Sequence, residues 1–159
     1  MKLDKKKLLY LILITLVCIV VYKLIVPPKY ISMPIGYVLE KYRYNDLKKS
    51  HHYWYLSENQ TSILAVYEPK AFLSREQKMR KVGYDISTNE GSRWEYSYSN
   101  FRNYDALISK IIIGPDDHWY KSITIYTDNS IYGFILNSSN KDNVQTAFNN
   151  IHYGMELSD

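Results

Sequence analysis

Trp119–Thr127 (WYKSITIYT) and Ile131–Asn137 (IYGFILN) flank Asp128-Asn129-Ser130. Apolar and polar residues alternate on both sides of three turn formers, which predicts an antiparallel hairpin. Alternation also assigns faces. Trp119, Ile123 and Ile125 share one side of the first strand; Tyr132, Phe134 and Leu136 share one side of the second. Gly114-Pro115-Asp116-Asp117, just upstream, is a turn signature. Downstream, Ser138, Ser139 and Asn140 offer N-caps, and Val144, Ala147, Phe148 and Ile151 follow at i, i+3, i+4 and i+7. The hairpin therefore leads into a C-terminal helix with one apolar stripe.

Further upstream the same signals recur. Ala106–Ile113 (ALISKIII) begins with helical spacing and ends as strand. Lys81–Ser87 (KVGYDIS) and Arg93–Phe101 (RWEYSYSNF) flank Thr88-Asn89-Glu90-Gly91, a second hairpin. Its later strand sets Trp94, Tyr96 and Tyr98 on one face. His51–Ser57 (HHYWYLS) and Ser62–Glu68 (SILAVYE) flank Glu58-Asn59-Gln60-Thr61, a third hairpin, with His52, Trp54 and Leu56 on one face. Ser74-Arg75-Glu76-Gln77 is either a capped helical turn or a charged loop. Between Gly36 and Ser50, Val38, Leu39, Tyr42 and Leu47 have roughly helical spacing, which predicts a short helix. The order is mainly β, a β-rich α+β chain. It predicts a curved antiparallel sheet or small barrel with a helix packed on it.

The N-terminus is different. Leu8–Tyr22 (LLYLILITLVCIVVY) carries no charge, and 8–26 would rise about 28 Å as a helix, close to a hydrocarbon core. No small pair follows the apolar run to serve as a cleavage site, and Val17 rather than a small residue precedes Cys18. An uncleaved anchor is therefore expected. Lys5-Lys6-Lys7 keep the N-terminus cytoplasmic by the positive-inside rule. The expected plan is a cytoplasmic tail at 1–7, a transmembrane anchor at 8–26, a linker at 27–34 and an outer β domain at 35–159. Pro27-Pro28 stops the helix.

Of 159 residues, 46% are hydrophobic and 23% charged, a globular rather than disordered composition. Six of the 20 basic residues and one of the 16 acidic ones precede Tyr30, leaving 14 and 15 in the body. A near-neutral body gives no basic face for nucleic acid. The single Cys18 lies in the anchor, so the outer domain has neither a disulfide nor a cysteine nucleophile. His51 and His52 are adjacent in a strand and point to opposite faces. Asp116-Asp117-His118 is the one tight acidic cluster, and turn chemistry explains it. There is no G-x-S-x-G, phosphate loop or H-E-x-x-H. The expectation is a non-enzyme with no cofactor and no metal.

Tyrosine is abundant, 17 residues. Stacked on one inner surface, Trp54, Tyr84, Trp94, Tyr96, Tyr98, Trp119, Ile123, Tyr132 and Phe134 would form an aromatic wall. One reading is an ordinary core. The other is a chamber whose tyrosine hydroxyls serve an amphipathic ligand.

Tyr55-Leu56-Ser57-Glu58-Asn59-Gln60 leads into an apolar strand, and Gly83-Tyr84-Asp85-Ile86-Ser87 leads into a turn and another. With the basic tail, the anchor and a cysteine-free β domain, this order resembles the small accessory proteins that partner membrane-bound transcription factors in vibrios, the ToxS and VtrC type. The second segment looks like the family's Gly-x-Trp-x-Ile-Ser element, with Tyr84 as the aromatic and a spacing that departs by one. The hairpin at Ile123–Leu136 is similar to the family's last strands. The likeness spans roughly 51–137. It implies a periplasmic lipocalin-like or calycin-like barrel that forms a heterodimer with the regulator's outer domain. It also implies a hydrophobic chamber for bile salts that controls virulence genes of a type III secretion system. The bacterial inner membrane, crossed once, would be its location.

The main rival is a membrane-anchored immunity protein that blocks a secreted toxin through an exposed surface. A PH-like binding module, suggested by two late strands and a helix, and an envelope-assembly subunit are the others.

Overall fold

A computed structural model describes residues 5–25, 30–69 and 94–158, with the side chains of 5–6 and 19–25 left aside. The sequence-predicted strand Lys81–Ser87, its turn 88–91, the 74–77 segment and Tyr84 lie outside the described residues.

The chain begins with helix α1 (Lys5–Ile25). Among the described residues, no helix is long and apolar enough to cross a membrane. The described side chains of α1 run from Lys7 to Cys18, a rise of about 18 Å.

The body is mainly β. Strands β1 (Ile31–Ser32) and β10 (Glu156–Leu157) form a two-stranded ladder. The main sheet holds β2 (Tyr37–Asn45), β3 (Ser50–Ser57), β4 (Ser62–Pro69), β5 (Tyr96–Phe101), β6 (Tyr104–Ser109), β8 (Trp119–Tyr126) and β9 (Ser130–Ser138). The short β7 (Ile112–Ile113) pairs with β8. The order is β2-β3-β4-β9-β8-β6-β5, antiparallel throughout. Two meanders are thus joined where β4 meets β9. Among the described residues no pairing links β2 to β5, so this is an open sheet and not a closed barrel.

Helix α2 (Lys141–Gly154) returns across one face. Asn140 caps it, its Oδ1 accepting from the Asp142 amide at 2.8 Å, which satisfies one of the orphan donors of the first turn. The predicted stripe is present: Val144, Ala147 and Ile151 are buried, and Phe148 packs beside them. They meet Ile63, Ala65, Ile123, Ile125, Tyr132, Phe134 and Leu136 on the inner face. Each large apolar side chain so buried contributes about 1.5–3 kcal/mol.

Three expectations need correction. The segment predicted as helix after Gly36 is strand β2. Its inward residues are Tyr37, Leu39, Tyr42 and Tyr44, because a bulge between Leu39 and Lys41 shifts the phase. That interval of three imitates a helical period. Ala106–Ile113 is strand throughout its regular parts: β6, then a break, then β7. Finally, β3 turns its other side inward. Tyr53 and Tyr55 are buried, while His52, Trp54 and Leu56 lie on the outer face.

Candidate functional site

The nine residues expected to share a wall divide between the two faces. Ile123, Tyr132 and Phe134 come together on the inner face, with no exposed surface, under α2. Trp119 lies on the same face at the rim, with Lys141 Nζ 5.3 Å from its ring centroid. Trp54, Tyr96 and Tyr98 lie on the outer face: Trp54 pairs with Leu64, and Tyr98 with Leu107. Tyr96 packs there against Leu107, Tyr126 and Ile131. Trp94 stacks on Tyr96 and meets Tyr120 edge-on. Tyr84 is outside the described residues.

A different aromatic constellation stands at the open edge of the sheet. His51 and Tyr67 are cross-strand partners, as are His51 and Tyr44. Tyr30, arriving from the N-terminal side, stacks on Tyr67 with centroids 4.0 Å apart and 10° between planes. The His51 ring lies 4.8 Å from Tyr30, 4.8 Å from Tyr44, 5.8 Å from Tyr67 and 6.0 Å from Tyr42. Beyond them Tyr67 touches Tyr132, and Tyr42 touches Tyr53. One imidazole is thereby ringed by four phenols, on the rim where the helix-covered core opens to solvent.

Burial lowers the His51 pKa, and the neighbouring His52 lowers it further. Burial first, then the phenols of Tyr30 and Tyr44, raises that of Tyr42. Both groups are therefore neutral at pH 7. Tyr42 Oη and His51 Nδ1 are 2.8 Å apart. With the imidazole proton assigned to Nε2, the phenol donates and Nδ1 accepts. The ring offers flat apolar faces with phenol edges, a surface for recognition.

Two further clusters are structural. Lys121 is buried on the inner face, donating from Nζ to the Ser109 carbonyl at 2.9 Å, 4.5 Å from the Phe148 ring centroid. Burial lowers its pKa. At the end of the sheet away from His51, Tyr120 donates to Asp116 at 2.6 Å, which lowers the Asp116 pKa, and His118 Nδ1 lies 3.0 Å from Asn137 Oδ1. A side chain at Gly114 would run into the Tyr120 ring and the Asp116 carboxylate, which would have to move aside. Among the described residues, no group of three His, Cys, Asp or Glu side chains could hold a metal.

Two of the surface depressions can be traced wholly among the described residues. One, of ≈ 220 Å³, is lined by Ile35, Gly36, Tyr37, Ser57, Glu58, Asn59 and Asn150. The other, of ≈ 190 Å³, lies between Phe101, Arg102, Tyr104, Met155, Glu156 and Leu157. Both fall below the ~300 Å³ at which sites for drug-sized ligands begin. None of the nine expected wall residues lines either of them.

The ring around His51 was missed by sequence reasoning. The run HHYWYLS showed that aromatics cluster, but with an aromatic at every one of Tyr53, Trp54 and Tyr55, alternation could not say which face was inward. Tyr67 joins through register alone, and Tyr30 by stacking on it from outside the sheet. No family model, no curated protein and no solved structure matches this chain.

Proposed function

We propose that this chain is a non-enzymatic accessory subunit, anchored in the bacterial inner membrane through α1, with its β domain in the periplasm. In this reading it pairs, through the edge of its sheet, with the outer domain of a membrane-bound transcriptional regulator. The observation that carries it is β2. Among the described residues this nine-residue strand pairs with β3 alone and exposes Val38 at 68 % and Leu39 at 38 %. A long edge with apolar side chains invites a partner strand. The bulge after Leu39 and the charges of Glu40, Lys41 and Arg43 restrain indiscriminate pairing.

The ligand part of the reading, a bile salt, shifts in position. The inner face is filled by α2, so the chamber forms where the half-open tyrosine ring meets the partner. A rigid steroid body stacks on Tyr30, Tyr44 and Tyr67, and its hydroxyls meet phenol groups. The ligand then acts only through a preference for the paired state. The anchor rests on the sequence: an uncharged Leu8–Tyr22 within a 21-residue helix.

The test is the thermal stability of the full chain in lipid nanodiscs with sub-micellar bile salts, alone and co-expressed with the product of the neighbouring gene. Pairing and a concentration-dependent rise in Tm are expected. A chain that stays unpaired and unmoved by every bile salt, yet captures a secreted toxin, is the immunity protein instead.

A further inference from the structure

The turn between β2 and β3 carries Asp46, Leu47, Lys48 and Lys49. Leu47 is 97 % exposed. Lys49 adopts a left-handed φ of 51° and pairs with Asp46 at 2.5 Å, while the Lys48 amide donates to Asn45 Oδ1 at 3.3 Å. The turn is thus held in shape with the leucine at its apex. A single exposed leucine is ordinary; its place in the fold is not. Tyr44, at the base of the turn, and Tyr30 both lie 4.8 Å from His51. α1 ends at Ile25. About five residues of chain, at most about 18 Å when fully extended, join that helix end to Tyr30. The opposite turn, at Glu58–Gln60, is removed by the length of β3, eight residues or about 26 Å.

We propose that the Asp46–Lys49 turn is a lipid-contacting tip: Leu47 enters the interface of a phospholipid bilayer, with Lys48 at the phosphates, Lys49 held by Asp46 beside it and Tyr44 at headgroup level. This rests on the reading of α1 as a membrane anchor. A short tether makes the contact intramolecular, so even weak insertion is populated. Tyrosine and lysine are the side chains that settle at such interfaces. Glu68 and Asp128 lie at the same end of the sheet, so the attraction belongs to the turn and not to the whole end. The contact would hold the open β2 edge upright beside the bilayer, where the outer domain of a second anchored protein also stands.

The experiment uses the full chain with Cys18→Ser, carrying Leu47→Cys or Glu58→Cys labelled with an environment-sensitive dye. Vesicles of phosphatidylcholine and phosphatidylglycerol carry a nitroxide at a shallow acyl position. Flotation of the chain with vesicles after alkaline wash reads the anchor by itself. With flotation, quenching at position 47 should exceed that at 58 by about twofold or more, and Lys48→Glu with Lys49→Glu should reduce it. Flotation with equal, weak quenching at both positions overturns the tip and leaves the anchor standing. A chain that does not float overturns both.

Discussion

The two faces of β8 and β9 come from the same residues read alternately, yet they serve different ends. Ile123, Ile125, Tyr132, Phe134 and Leu136, facing α2, expose nothing. Between them Ser122, Thr124 and Gly133, smaller or more polar, face the other way together with Ile135, which is 38 % exposed. Among the described residues, the face covered by the helix is filled by its own side chains. Under the proposed function, recognition falls where that packing stops: at the tyrosine ring on the rim and at the side of β2 that is unpaired among the described residues.

The sharpest way to break this contrast is to mutate neighbours. Phe134→Ala should lower the unfolding free energy by about 3–5 kcal/mol, whereas Ile135→Ala should cost about 1 kcal/mol or less. Urea denaturation of the full chain in detergent measures both. Equal costs would mean that the outer face is as tightly packed as the inner one.

Lys121 tests the inner face where it is not purely apolar. Lys121→Ala removes a stem packed on Phe148 and should cost about 2 kcal/mol. Lys121→Met keeps the stem and removes a buried ammonium, so its cost should stay within about 1 kcal/mol. If the two variants fall together, the amine's bond to Ser109 matters more than the packing of its stem.

His51 and His52 are adjacent on opposite faces, and burial is the leading cause of a lowered pKa for both. A base with a depressed folded pKa stabilises fully above its unfolded value. That stability is lost as pH falls from about 6.5 through the folded values, because the unfolded chain binds protons first. Tm should therefore decline between about pH 7.5 and 5.5, and His51→Gln and His52→Gln should each flatten part of the slope. A wild type with no slope would show that neither site is effectively dry.

The smallest effect on folding is expected at the edge. Val38→Lys should change stability by no more than about 0.5 kcal/mol yet abolish pairing with a partner in a pull-down. Retained pairing would move the interface away from β2.

These contrasts also explain what could be read in advance. The hairpin at Trp119–Asn137 was legible because three turn formers separate two runs rich in aromatic and β-branched residues, and α2 because a cap precedes a stripe of the right period. β2 was not, since its bulge spaces Leu39 and Tyr42 three apart. The face of β3 was hidden by a run of aromatics, each a plausible core residue. For the site, the residue types were visible, but register alone sets Tyr44 and Tyr67 opposite His51, and Tyr30 joins them by stacking from outside the sheet.

The pairing of β1 with β10 has a mechanical consequence. Ile31 is opposite Leu157, the Ser158 amide donates to the Tyr30 carbonyl at 3.1 Å, and Tyr132 donates to the Ser158 carbonyl at 2.6 Å. Tension arriving along the chain from α1 would meet Tyr30, and then this two-residue ladder, before it meets β2. Parting it would release Tyr30 from Tyr67 and would also uncover Ile31, a core residue only 2 % exposed. A pull on the N-terminal segment would then be felt first at the aromatic ring.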